Sequence, residues 1–367
     1  MFADRNEIAE KEVRIRRLIE EHNLAAVALS TNANFAWVTC GGNNYVGIAS
    51  EIGVATAVVT KQRKYIVCDN IEAQRLADEE VADQGFEFKT CLWYEAQKEH
   101  LVRQLAGEGK LGADTILADS INLSRELDCC RRSLTDAEIS RYEILGQQVS
   151  ECLLQTAETV EAGMTENRAA GILDGHLRSR GIVPIVTLVA SDERAHRYRH
   201  PLPTAKPIDR YVMLVTGARK WGLVVSATRI ICFGAVPTDL RLKHDAVVRV
   251  DAEMIAATTV GTPMNEILRK GIQAYAEVGF PEEWALHHQG GPTGYKSRDF
   301  RVTLETAECV AENQAFAWNP SISGTKSEDT IIATSYGPKI ISLNTEWPTL
   351  EVTVGGKTIP RPDIFVK

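Results

Sequence analysis

Four histidines, one arginine and one glutamate stand where a proton-transfer site can be assembled. His196 and His200 fall in "AHRYRHPLPT", His287 and His288 in "HHQGGPTGY", Arg298 in "GYKSRD" and Glu328 in "TKSEDT". An imidazole near its ordinary pKa of about 6.5 gives and takes a proton at neutral pH. Two imidazoles beside one carboxylate suit hydrolysis of an activated C–N bond. In that chemistry either His200 or His196 can serve as the general base and acid. His287 polarises the atom under attack or completes the relay. Glu328 orients the imidazole or binds a cationic, amidine-like group. Arg298 offers a two-pronged donor for a substrate carboxylate. Ser226, Asn319, Arg229, His288, Trp318 and Tyr295 complete the set expected to touch substrate.

Each of these residues also has a plain structural reading. A histidine in a Pro-flanked turn is ordinarily a surface or hydrogen-bonding residue, and His196 sits among charges. Glu328 can serve as an ion-pair partner of Arg229 and nothing more. The paired glycines at 290 and 291 can mark a turn where backbone approaches backbone. Trp221, Trp284 and Trp318 can pack a core.

The elements that must position these residues are legible as two textures. Residues 6–22 have helical periodicity. Short apolar runs at 25–30, 53–60, 64–69 and 115–120 suit buried strands, and 72–85 and 94–109 read as helices ended by glycine. From "SLTDAEISRYE" onward the texture changes. Ser133 or Thr135 caps a long helix, and Glu138 stands three residues after Thr135, as a capping box requires. Thr165 caps a second helix that stops at Gly181. Strand signals follow at 182–190, 211–218 and 222–233, helices at 239–258 and 262–279, and a β-rich tail. This predicts an α/β domain over 1–130 and helices on a curved antiparallel sheet over 131–367.

Composition narrows the function classes. The 367 residues carry 41 basic and 49 acidic side chains, a net charge of -8, which argues against nucleic acid. No apolar run reaches the length of a membrane span, and the N-terminal stretch lacks the apolar core of a signal peptide, so a cytoplasmic location is expected. The eight cysteines include no CxxC pair, which predicts reduced thiols.

Several local patterns then line up in chain order. "STNANFAWVTCGG" (30–42) resembles the strand and turn in the N-terminal domain of creatinase and prolidase, and "LTDAEISRYE" resembles the helix that opens their catalytic domain. "RHPLPTAKPI" (199–208), "GARKWGLVVSATR" (217–229), "HHQGGPTGY" (287–295) and "WNPSISGTKSEDTIIAT" (318–334) resemble the four segments lining the catalytic pocket of the pita-bread superfamily. That superfamily includes methionine aminopeptidase, aminopeptidase P, prolidase and creatinase. The resemblance implies a ribonuclease-H-like α/β domain of creatinase N-terminal type, followed by an α+β pita-bread domain. It also implies a homodimer acting on a small-molecule substrate.

Its peptidase members hold two divalent metals with two Asp, one His and two Glu. At the corresponding positions this chain has Val215, Ser226, Gly291 and Asn319, and only Glu328 survives. A hard dication needs several anionic oxygens to offset its dehydration. The expectation is therefore a chain with no cofactor and no dinuclear Mn, Co or Zn site. A single-metal site built from His196, His200, His287 and His288 with Glu328 ranks behind it. Within the resemblance His200 matches the proton-transferring His of creatinase. His287 matches a second active-site His of aminopeptidase P, and Arg298 stands where that group has a third.

Three functions compete on this basis. The preferred one is a metal-independent, creatinase-like hydrolase or C–N lyase acting on a small carboxylate-bearing nitrogen compound. The second is an Xaa-Pro aminopeptidase or prolidase-type metallopeptidase. The third is a catalytically inactive pita-bread module that binds a partner.

Overall fold

The computed structural model describes residues 4–367, so the first three residues of the amphipathic N-terminal stretch lie outside it. The chain forms two compact units. One runs to Glu138 and takes in Trp221–Leu223; the other comprises Ile139–Lys220 and Val224–Lys367.

In the first unit six strands make one sheet: β1 (Ala26–Thr31), β2 (Ile52–Thr60), β3 (Lys64–Asp69), β4 (Glu87–Cys91), β5 (Leu111–Ala113) and β6 (Ser120–Asn122), in the order β4-β3-β2-β1-β5-β6. β1 pairs antiparallel with β2 and parallel with β5. Its "AVALS" run is buried throughout, as a central strand covered on both faces must be. Helices Arg5–Glu21 and Lys98–Ala106 pack on the sheet. The helix expected over 72–85 is shorter, a turn at Ala73–Arg75 running into a π-helical turn at Leu76–Glu80. The strand expected over 115–120 is also corrected. The pairing segment is Leu111–Ala113, and Ile116 is 98% exposed. The reason lies one residue earlier. Buried Asp114 accepts the backbone N–H groups of Ser30 and Thr31 and the Thr31 hydroxyl, which turns the chain out of the sheet.

In the second unit β7 (Val183–Ser191), β8 (Tyr211–Lys220) and β9 (Leu223–Cys232) form a sheet with β18 (Phe365–Val366), ordered β18-β9-β8-β7. A second sheet joins β10 (Gly290–Thr293), β11 (Gln314–Trp318), β14 (Asp329–Thr334) and β15 (Gly337–Ile340) in that order. Two hairpins complete the unit, β12 (Ser321–Ile322) with β13 (Thr325–Lys326) and β16 (Thr349–Val354) with β17 (Lys357–Pro362). Helices Thr238–Ala257 and Met264–Glu277 bury Val247, Met254, Ile255 and Ile267 against Phe316 and Ile331. This is the two-domain pita-bread architecture.

The long helix Asp136–Thr159 opens with the expected capping box. The Thr135 N–H reaches Glu138 Oε2 at 2.8 Å, and the Glu138 N–H returns to Thr135 Oγ1 at 3.3 Å. No helix among the described residues is long and apolar enough to cross a membrane.

Candidate active site

Three imidazoles meet at one point of the second unit. His200 lies in the Pro-flanked segment before β8, and His287 and His288 follow a short 3-10 turn at Glu283–Leu286. Nε2 of His200 and Nε2 of His287 are 3.0 Å apart, and the rings of His287 and His288 stack with centroids 4.3 Å apart. One nitrogen from each of the three rings lies within 4.8 Å of the others.

Arg199 and Gln289 brace the two segments. Arg199, next to His200, reaches Glu283 at 2.5 Å and the Ser323 hydroxyl at 3.0 Å. Gln289 donates to the His287 carbonyl at 2.6 Å and accepts from the Tyr275 hydroxyl at 3.0 Å. Neither Arg199, Glu283 nor Gln289 was singled out from sequence. The Arg199–Glu283 pair spans 84 residues, and no local pattern signals such a contact.

The rings are held neutral. Burial, followed by the charges of Lys326 and the other two imidazoles, pushes His287 down to about 3. Burial, with Arg298, Arg301 and Lys326, pushes His288 down to about 4. His200 is lowered in the same way, first by burial and then by Lys326 and Arg301. Nδ1 of His287 and Nδ1 of His288 are buried without a hydrogen-bond partner, and so is Oδ1 of Asn319. Unpartnered buried polar atoms cost about 1–3 kcal/mol each, so folds retain them chiefly where a ligand uses them.

Beside the trio lies a charge cluster around Glu328. Its Oε1 takes Arg298 Nη2 at 3.0 Å, and its Oε2 takes Lys326 Nζ at 2.6 Å and the Thr228 hydroxyl at 2.9 Å. Burial alone would raise this carboxyl, but Lys326 and Arg298 outweigh it and hold it at about 2. Ser226 joins through its hydroxyl, 3.4 Å from Arg298 Nη1. Lys326 is a further residue that sequence reasoning passed over.

Several expected roles are corrected by these positions. Arg298 is not a free fork for a carboxylate, because both of its terminal nitrogens are engaged, by Glu328 and by Ser226 with the Ser297 carbonyl. Glu328 orients no imidazole by direct contact, since Arg298, Lys326 and Thr228 take its oxygens. It is also not the ion-pair partner of Arg229, which pairs with Asp329 at 2.9 Å and reaches only the Glu328 carbonyl, at 3.4 Å. Arg229 is 2% exposed and packs over Trp347, so it does not face substrate. Trp318 is 1% exposed, stacks on Phe316 and donates to the Thr258 hydroxyl. Tyr295 lies among the buried side chains. His196 stands apart from the trio, edge-on to Tyr211 and against Gly324, where an added Cβ would fall 2.5 Å from its ring.

The glycines have a steric reason. At Gly290 an added Cβ would meet the Ala317 carbonyl oxygen at 2.2 Å, and at Gly291 the Phe300 carbonyl oxygen at 2.6 Å, both at positive φ. No side chain fits at 291, so no ligand imidazole can be carried there.

The fold and this site define a class, the pita-bread proteins with a creatinase-type N-terminal domain. The family follows from sequence: the profile of Metallopeptidase family M24 matches residues 141–335, just over half of the chain, and the chain belongs to that family. It is 20% identical over 225 residues to an uncharacterized peptidase of Staphylococcus saprophyticus, a match covering 59% of this chain and 64% of that relative. The chain thus matches less than two thirds of that relative's length. Among solved structures it resembles the Xaa-Pro dipeptidase from Bacillus anthracis, with TM-score 0.78, 19% identity and coverage of 98% of this chain and 100% of that one. The prolidase from Pyrococcus horikoshii OT3 superposes with TM-score 0.77 and 18% identity over 91% of this chain and 98% of that one.

These findings overturn the expectation of a chain without a cofactor. Membership in a metallopeptidase family and likeness to the prolidase fold carry no sign of a metal-free protein. The residues at the five positions carried over from the resemblance do not build a two-metal cage. Val215, Gly291, Ser226 and Asn319 bring no charge, and the two cations on Glu328 leave it no oxygen to spare. The metal-capable group among the described residues is the imidazole trio.

Proposed function

We propose that the chain hydrolyses a C–N bond in a small carboxylate-bearing nitrogen compound, with His200, His287 and His288 at the reacting centre. The observation that carries this reading is the convergence of three neutral imidazoles beside two cations, one buried and one half-buried, that share one carboxylate. Arg298 and Lys326 together exceed the charge of Glu328 by one unit, so the local field favours an anionic group on the substrate. In the reaction the water oxygen bonds to the substrate carbon and the C–N bond breaks. The electron pair stays on nitrogen, and a proton from water ends there. The trio makes the water nucleophilic, with His200 as its solvent-exposed member. The assembly belonging to this proposal is a cytoplasmic homodimer, which light scattering would report as twice the 40.5 kDa chain mass.

A second reading has one observation in its favour. The fold follows an Xaa-Pro dipeptidase over almost the whole chain, and a dipeptide is itself a small carboxylate-bearing amide. One panel tests both: Xaa-Pro dipeptides beside N-carbamoyl and N-amidino amino acids, each with wild type and His200→Ala. Turnover of a panel member that falls at least a hundredfold in the variant is expected. Turnover that survives His200→Ala, or none on any panel member, overturns the proposal.

A further inference from the structure

We infer that His200, His287 and His288 are the ligands of a single borderline divalent ion of the zinc or cobalt class, at a position built from residues outside the carboxylate set that the resemblance assigns to the metals. The inference deepens the proposed function and rests on its placing of the reacting centre at the trio.

Geometry is the first argument. Metal–imidazole bonds of about 2.0–2.1 Å in a tetrahedron put neighbouring ligand nitrogens about 3.3–3.4 Å apart. The 3.0 Å between His200 and His287 and the 4.8 Å limit on the whole trio bracket that separation, so side-chain rotations close the set. Chemistry is the second. An all-nitrogen set favours zinc, cobalt or copper over magnesium or manganese. Satisfaction is the third. Nδ1 of His288 is buried and unpartnered, so it is available to an ion that Nε2 of His200 and Nε2 of His287 already face.

Charge sets the fourth ligand. Lys326 and Arg298 oppose a bare dication, and Glu328 offsets only one of them. The ion is therefore held best together with an anion, either hydroxide or the carboxylate of the substrate. In the three-histidine arrangement a bound ion lowers the pKa of water toward neutrality, which supplies the nucleophile the proposed function needs.

The test uses the full chain, stripped with chelator and then titrated with cobalt(II). About one cobalt per chain is expected, with the intense visible absorption of a four-coordinate ion. His288→Gln and the exposed-site variant His200→Ala should each weaken binding at least tenfold while keeping the wild-type melting transition. Manganese and magnesium should not compete at equal concentration. No stoichiometric uptake, uptake of two ions, or uptake unchanged in both variants overturns the inference. Turnover of a small carboxylate substrate by metal-free protein also sinks it and leaves the proposed function standing. Tight cobalt binding without turnover of any panel substrate supports the site and counts against that function.

Discussion

Two polar clusters lie within one residue of each other along the chain, and they differ in charge balance. Glu328 and Asp329 are consecutive, as are Thr228 and Arg229, and an isolated antiparallel bridge ties Thr228 to Glu328. Side chains alternate along extended chain, so one pair faces one way and the other pair the opposite way. On the first side Thr228 and Glu328 meet Arg298 and Lys326, two cations against one carboxylate. On the other side Arg229 and Arg361 meet Asp329 and Asp251, two against two, with all three ion pairs between 2.6 and 2.9 Å. The balanced cluster is closed in charge, although Oδ1 of Asp251 and Nε of Arg361 make no hydrogen bond, and it serves as scaffold. The unbalanced one, beside imidazoles with unpartnered nitrogens, is open to an anion or an ion pair from outside. Neighbouring carboxylates of the same type thus take opposite roles through register alone.

The largest expected effect comes from unbalancing the closed cluster. Arg361 is buried, and its guanidinium is shared between Asp251 and Asp329. Arg361→Ala would leave two buried carboxylates with one cation. A loss of about 3–5 kcal/mol is expected in urea unfolding. A loss under about 1 kcal/mol would mean that water or relaxation compensates, and that charge balance is not what holds this cluster.

His244 sharpens the comparison between partnered and unpartnered imidazoles. Its Nδ1 meets the Thr325 hydroxyl at 2.9 Å and its Nε2 meets the Pro362 carbonyl at 3.0 Å. Burial pushes it down to about 4. The folded chain therefore favours the neutral ring. Between about pH 6.5 and 4 the unfolded chain binds more protons, so stability from this group is complete above 6.5 and declines as pH falls. Comparing wild type with His244→Gln across that window isolates the contribution, about 3 kcal/mol at its acid end. Parallel stability curves for the two proteins would exclude it.

Arg199 carries the next effect. It fixes the segment of His200 against that of His287 by way of Glu283 and Ser323. Arg199→Met should lower kcat about tenfold with little change in KM, since positioning rather than substrate contact is lost. A change confined to KM would instead place Arg199 against substrate.

How much of this was legible in sequence depends on the range of the contact. The helix at Thr238–Ala257 and the capping box of Thr135 and Glu138 follow from periodicity and from spacings of three. The strand at Leu111–Ala113 escaped because three residues are too few to show alternation, and the turn depends on Asp114 reaching Ser30 and Thr31, more than eighty residues away. His200 and His287 were found through the resemblance, and their convergence with His288 is a product of the fold. The choice between Glu328 and Asp329 as partner of Arg229 was not legible at all. Two adjacent carboxylates look alike until the register across the Thr228–Glu328 bridge assigns each a side.

The smallest expected effect has the opposite sign to the first. His288 stacks on His287 and leaves Nδ1 buried without a partner. Phenylalanine at this position keeps a flat ring against His287 and places an aromatic face near Arg298 and Arg301, while removing the unsatisfied nitrogen. His288→Phe should therefore raise stability by about 1 kcal/mol while abolishing turnover. Residues selected for binding are commonly suboptimal for folding, and in the balanced cluster any substitution that removes an ion-pair partner leaves a buried charge instead. A destabilisation of about 1 kcal/mol or more would show that His288 is satisfied in the folded protein, and the distinction between an open and a closed cluster would have to rest on charge alone.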